Sequence, residues 1–314
     1  MAVARVAAQA TLRRAARFSG IGLHSGEACS ATVAPAPVDS GIRFTLSGRD
    51  RPPIPADFRL AKEVPLCTEL VDDTTRVQTI EHMMAALFAL GVSNCEIALE
   101  GGAEVPVLDG SAFEFVDKLS PLVELQDASL PVVRVTREVV VEDPIRGTFA
   151  KLEPAQAMAT SDPPVLDLTI ELDSFDGRLP THPEGCTTFQ YTHVYGQPES
   201  ALAFTSDLAP ARTFGFESDI ARLRQAGLAQ GGSLDNAVVF RGDGTDAVLN
   251  PEGLRFPDEW VRHKMLDCIG DLGLSLTSHG VLHGSFFSRR PGHATTNKLL
   301  RAVFASPDNY EIIS

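Results

Sequence analysis

No run of apolar residues in this 314-residue chain is long enough to cross a membrane; the strongest, Met83 to Val92, falls far short of the ~18 residues a span requires. Positive charge is scarce as well. With 27 Lys and Arg against 41 Asp and Glu, the formal net charge is −14, which excludes the basic footprint of a nucleic-acid-binding protein. The five cysteines, Cys29, Cys67, Cys95, Cys186 and Cys268, are odd in number, scattered and without a Cys-x-x-Cys pair. That excludes a disulfide scaffold and a thiolate zinc site, and fits a reducing compartment. Met1 to Gly20 has no acidic residue and no secretion-type apolar core or cleavage pattern. It is expected to be a short tail running into a first strand, which makes the cytoplasm the expected location.

The length predicts about two domains with cores of their own, and the apolar and charged fractions, 44% and 22%, are those of a soluble globular protein. Thr11 to about Phe58 alternates apolar and polar residues between Gly and Pro, as strands and hairpins do. Thr79 and Gly91 read as the N-cap and the stop of a buried helix containing Glu81 and His82. A strand is expected from Asn94 to Leu99, a turn at Val105 to Ser111, and a second helix from Phe113 to Leu119. Pro121 to Pro131 reads as a boundary. Beyond it strands are expected to about Phe204, with Leu166 to Leu172 the clearest. A short helix from Glu217 to Gly227, a strand from Ala237 to Phe240, a helix from about Pro257 to Leu272, a strand from Leu282 to Ser288 and a closing helix from His293 to Val303 complete the plan.

The helix ending at Leu272 carries the most chemistry. His263, Asp267 and Asp271 fall at i, i+4 and i+8, on one ridge, while Met265, Leu266, Ile269 and Leu272 lie off it. A lone His-x-x-x-Asp is common on a solvated helix face. Here a second His-bearing helix weakly repeats the pattern: His82 and His263 each stand early in a helix that ends in Leu-Gly. Two similar halves facing each other would converge on an interdomain site. A hydrolytic zinc site needs three protein ligands and one open position, and His82, His263 and Asp267 would supply the three. Glu81, about 100° round the helix from His82, is placed to act as general base. Asp271 is placed to orient an imidazole, and His293, after Gly292, to stabilise an oxyanion and protonate a leaving amine. His24, in a Gly-rich turn, reads as structural, and His182, His193, His279 and His283 belong to no constellation. An anionic substrate would need a local positive cluster, for which Arg289, Arg290, Lys298 and Arg301 are the candidates.

The chain resembles the UDP-3-O-acyl-N-acetylglucosamine deacetylases, the zinc amidases of lipid A biosynthesis in Gram-negative bacteria. The matching segments are Ser19-Gly-Ile-Gly-Leu-His-Ser-Gly26, Thr79-Ile-Glu-His-Met-Met-Ala-Ala86, Val105-Pro-Val-Leu-Asp-Gly-Ser-Ala112 and Ala211-Arg-Thr-Phe-Gly-Phe216. Gly231-Gly-Ser-Leu-Asp-Asn236, Gly253-Leu-Arg-Phe256, the His263 helix and Gly292-His-Ala-Thr-Thr-Asn-Lys-Leu-Leu300 follow in the family's order.

The resemblance implies an α+β fold of two β-α-α-β two-layer sandwich domains, residues 1–127 and 128–314, facing each other across the active site. It implies one catalytic Zn²⁺ on His82, His263 and Asp267, with Glu81 as general base and His293 as general acid. Asp271 would be the electrostatic partner of His293, Thr213 would bond the oxyanion, and Lys264 would help hold substrate. Phe214, Arg290, Leu66, Cys67 and Gly231 are the implied substrate contacts, Arg290 facing the diphosphate. An insert at about 217–240, with Ile220, Leu223 and Leu228, would line a passage for the fatty acyl chain. The implied reaction is removal of an N-acetyl group from a UDP-linked acylated amino sugar by a monomer. Glu69 and the 174–200 stretch depart from the family's text, and the tail after Val303 is short. Two other readings compete: a metal amidohydrolase with another N-acylated substrate, and a non-enzymatic binding protein whose structural metal would need a fourth ligand.

Overall fold

A computed structural model describes residues 7–48, 51–73, 75–155, 162–179, 187–245 and 247–314. The fold class is the expected α+β. In the first half, a five-stranded sheet runs in the order Ala16–Ile21, Ala28–Pro35, Cys95–Glu100, Ile42–Leu46, Ile54–Pro55. The alternation in these strands points Phe18, Ala31, Val33, Phe44, Ile97 and Leu99 into one core. Two helices join that core, α1 (Glu81–Ala89) and α2 (Phe113–Leu119). In the second half, the strand Val281–Arg289 is the axis of a seven-stranded sheet. It pairs parallel with Val165–Leu172 and Val132–Val135 and antiparallel with Thr148–Glu153. Along Val165–Leu172 every second residue is buried, namely Leu166, Leu168, Ile170 and Leu172.

Among the described residues, four more helices belong to the second half: α3 (Pro198–Asp207), α4 (Glu217–Gln225), α5 (Glu259–Leu272) and α6 (His293–Phe304). Helix α5 packs on α1 and α6, and α6 on the strands Val139–Asp143 and Thr148–Glu153. Helices of the two halves therefore meet face to face with a sheet behind each. This contact explains why α1 is apolar all round: every one of its residues is buried. Gly270 makes the contact close, since a Cβ there would lie 2.1 Å from the Glu81 carbonyl oxygen.

Several local expectations need correcting. Thr79 does not cap α1. The N-cap position is Ile80, and Thr79 sits in the left-handed region at φ +57 with its hydroxyl donating to Glu104 Oε1. Gly91 does end α1, at φ +73, with Val92 N–H closing back on Leu87 O. Strands do not continue to Phe204, because Pro198 opens α3 from its first turn, where its missing N–H costs nothing. The Pro121–Pro131 stretch contains the strand Val123–Ser129, paired antiparallel with Ala8–Leu12. His182, Cys186 and part of the divergent 174–200 stretch lie outside the described residues; the other four cysteines are free and buried.

Candidate active site

Helix α5 delivers its polar ridge into the seam between the halves, where His263, Asp267 and Asp271 are 1%, 4% and 1% exposed. From the other side α1 presents Glu81 and His82, also buried. His82, His263 and Asp267 form a cluster whose ligating atoms all lie within 4.8 Å of one another. The Nε2 atoms of His263 and His82 stand 3.4 and 3.7 Å from Asp267 Oδ1, and the two rings meet edge-on at 4.8 Å. The Nδ1 of His263 bonds the carbonyl oxygen of Ala211 at 2.9 Å. The other Asp267 oxygen, Oδ2, accepts from Lys264 Nζ at 2.8 Å. Asp267 Oδ1 is buried with no hydrogen-bond partner among the described residues. A buried carboxylate oxygen left bare is costly unless something positive completes it. Two imidazoles and one carboxylate make the donor set that zinc accepts in hydrolytic sites.

The ionisation pattern matches that donor set. Burial, then His263, pushes the His82 ring down to about 3, and burial lowers His263 too, so both present neutral nitrogens. Burial works against the Asp267 charge, but Lys264 and His263 hold this carboxyl well below the usual carboxylate range.

Glu81 and His293 face each other beside the cluster, with 3.9 Å between Oε1 and Nε2. Burial pushes the Glu81 carboxyl up to about 7; His293 opposes the rise and Asp267 adds to it. For His293 burial disfavours the charged ring, yet Asp271 and then Glu81 outweigh it and lift the ring to about 9. Both groups are raised, which brings the Glu81 carboxyl to where it can exchange a proton near neutrality and favours a proton on His293, a pairing suited to acid–base chemistry near neutral pH. Thr68 was not foreseen. Its N–H donates to Glu81 Oε2 at 2.9 Å and its hydroxyl to Asp271 Oδ1 at 2.5 Å, so one residue steadies both Glu81 and Asp271.

Each of the remaining expected residues has its own local setting. Thr213 is two residues beyond the carbonyl that receives His263, held by Thr213 N–H on Gly110 O at 2.7 Å. Phe214 starts the strand Phe214–Phe216, with Lys264 Nζ 5.8 Å from its ring centre. Leu66 is half exposed at φ +70, beside the buried Cys67, whose thiol is pushed up by burial and by Glu81. Gly231 packs against the Gly22–Gly26 turn, its N–H bonded to Leu23 O. Helix α4 buries none of its residues, so Ile220 and Leu223 keep partly open apolar faces. Glu69 is buried and ion-paired with Arg76 at 2.8 Å.

The four basic residues expected to form a positive patch are engaged separately. Arg289 pairs with Glu171, Arg290 with Asp173 and Asp176, Lys298 Nζ donates to Glu142 O, and Arg301 donates to Phe58 O and Ala61 O. Of these, Arg290 stands nearest the chemistry in sequence, three residues before His293.

A buried two-His, one-Asp cluster faced by a carboxyl and an imidazole that are both raised in pKa has the ligand set of the hydrolytic zinc enzymes. Comparison with known proteins narrows the class. A family profile described as UDP-3-O-acyl N-acetylglycosamine deacetylase matches residues 9–305. The UDP-3-O-acyl-N-acetylglucosamine deacetylase of Shewanella halifaxensis (strain HAW-EB4) is 38% identical over 311 residues, 98% of this chain and 92% of that protein. The protein of the same name from Anaeromyxobacter sp. (strain Fw109-5) is 39% identical over 310 residues, 97% of this chain and 91% of its own. The chain belongs to the UDP-3-O-acyl N-acetylglycosamine deacetylase family.

Proposed function

We propose that this protein hydrolyses the N-acetyl group of UDP-3-O-(3-hydroxyacyl)-N-acetylglucosamine, releasing acetate and the free amine, with one zinc ion held by His82, His263 and Asp267. The observation that carries the reading is the bare Asp267 Oδ1, faced by two neutral imidazoles, with Glu81 and His293 set opposite each other beside it. When bound, zinc supplies Lewis-acid polarisation of the amide carbonyl and lowers the pKa of a coordinated water towards ~7.

The chain's own groups handle the protons and the orientation. Glu81 takes the proton of the attacking water, and Thr68 N–H holds its second oxygen in place. His293 keeps its proton under the influence of Asp271 and gives it to the amine as the C–N bond breaks. The Thr213 hydroxyl donates to the carbonyl oxygen as charge develops there. Lys264, locked on Asp267, adds positive charge beside the substrate. Phe214, Leu66, Cys67 and Gly231 line the sugar and acyl path in this reading. Arg290 exchanges Asp173 and Asp176 for the diphosphate, and the insert around 217–240 receives the acyl chain.

The same reading assigns residues 1–127 and 128–314 to two domains, and the protein to lipid A biosynthesis as a cytoplasmic monomer. Among the described residues no helix is long and apolar enough to cross a membrane. The test of the substrate is acetate release from the 3-O-acylated nucleotide sugar against UDP-N-acetylglucosamine without the acyl chain. Much faster turnover of the acylated compound is expected; equal rates would favour an amidohydrolase of broader substrate range.

A further inference from the structure

Four residues, not three, form the buried ridge of α5. Glu259 lies one turn before His263 and is 0% exposed. Its partner is Arg212, the largest fully buried side chain among the described residues, at 1%. Glu259 Oε1 accepts from Arg212 N–H at 3.0 Å and from Arg212 Nε at 2.9 Å. Oε2 accepts from Arg212 Nη2 at 3.2 Å and from Arg255 N–H at 2.6 Å. The guanidinium also donates to Gly253 O at 2.7 Å and to Glu252 Oε1 at 2.5 Å. Both the backbone and the side chain of Arg212 are thus clamped to the first turn of α5.

The two neighbours of Arg212 are functional. Ala211 offers the carbonyl that His263 Nδ1 bonds at 2.9 Å, and Thr213 is the proposed oxyanion donor. With Nδ1–H given to Ala211 O, the Nε2 lone pair is left facing Asp267 and the open centre. Glu259, His263 and Asp267 ride on one helix at four-residue steps, so Glu259 transmits the register of α5 through Arg212 to the 211–213 segment.

We propose that the Arg212–Glu259 ion pair is the positioning element of this site: it holds the Ala211 carbonyl on His263, fixing that ring's tautomer, and holds Thr213 at the reacting carbonyl. The proposal rests on the metal reading above. Neither residue touches substrate; each acts through its backbone neighbours. Buried ion pairs of this kind are replaceable by apolar side chains without loss of fold, so what this pair adds is geometry.

The test is the double substitution Arg212→Met with Glu259→Leu, which removes both buried charges together and leaves only the half-exposed Glu252 carboxylate, open to water, without its partner. Zinc affinity, measured by chelator competition on the full chain, is expected to weaken ~10- to 100-fold, as for lost outer partners of a ligand imidazole. kcat is expected to fall with little change in KM. Nitrogen NMR of labelled histidine in the metal-free protein should show His263 held as the Nδ1–H tautomer natively and mixed in the variant. A folded variant with native zinc affinity and a native His263 signature would overturn the proposal. If the double variant fails to fold, Arg212→Lys keeps the charge but loses the fork that spans Glu259 and Gly253, and the same two readouts decide. Native protein that takes up no zinc would defeat the metal reading alone, since the tautomer signature still decides the positioning role.

Discussion

Asp271 Oδ2 stands 2.9 Å from His293 Nδ1 while Asp271 Oδ1 accepts the Thr68 hydroxyl. One buried carboxylate thereby fixes the orientation of the imidazole and leaves its Nε2 facing Glu81. Asp271 heads the influences that lift the His293 ring to about 9 against the effect of burial. Asp271→Asn should therefore move the basic limb of the kcat/KM profile to lower pH and lower its maximum. A basic limb that stays in place would remove Asp271 from this role.

Ligand and base should separate on metal content. His263→Ala and Asp267→Ala each remove a donor from the cluster and should lower both bound zinc and rate. Glu81→Ala should lower the rate by about 10²-fold or more, the usual contribution of a general base, with zinc retained. Metal analysis of the purified variants checks this, and a metal-free Glu81→Ala would mean that base and ligand had been interchanged.

Helix contact sets the distance between the two halves of the site. At Gly270 a Cβ would meet the Glu81 carbonyl oxygen at 2.1 Å and Ala85 N at 3.2 Å. Gly270→Ala should cost about 1–3 kcal/mol of stability, as overpacking does. It should also lower kcat by an order of about 10²-fold, because Glu81 and His82 move relative to His263 and Asp267. Denaturant titration and steady-state kinetics read the two effects; unchanged kcat would show that the helix spacing is not critical.

His193 gives a pH dependence of stability away from the site. It is 1% exposed, both ring nitrogens lack partners among the described residues, and it packs among Phe88, Tyr191 and Tyr195. Burial pushes the ring down from 6.5 to about 4. The folded protein holds the neutral ring, so between those values the unfolded chain binds the extra proton. Its contribution is complete above pH 6.5 and is lost as the pH falls towards 4, about 3 kcal/mol in all. His193→Phe should flatten that part of the stability curve, as urea unfolding at several pH values would show. A curve as steep as the native one would place the titration elsewhere.

The parts of this protein legible in its sequence are those carried by short-range periodicity. The 3.6-residue repeat places His263, Asp267 and Asp271 on one ridge of α5, and the same logic sets Glu81 beside His82 at the start of a buried helix. Alternation marks Val165–Leu172 as a strand. What escaped depends on partners distant in the chain. Thr68 acquires its role from Asp271, 203 residues away, and Arg212 from Glu259, 47 residues away. Glu259 had one signal available, its place four residues before His263. Thr79 looked like a cap because of its residue type; its hydroxyl is drawn instead to Glu104. The positive patch was inferred from proximity in sequence, and nearby carboxylates and carbonyls divide it.

The most direct measurement is acetate release from UDP-3-O-(3-hydroxyacyl)-N-acetylglucosamine by the purified protein, after chelation and again after stoichiometric zinc is returned. Release that chelation abolishes and one equivalent of zinc restores is the predicted result. Release that persists in metal-free protein, or its absence from folded protein carrying one zinc, would contradict the account.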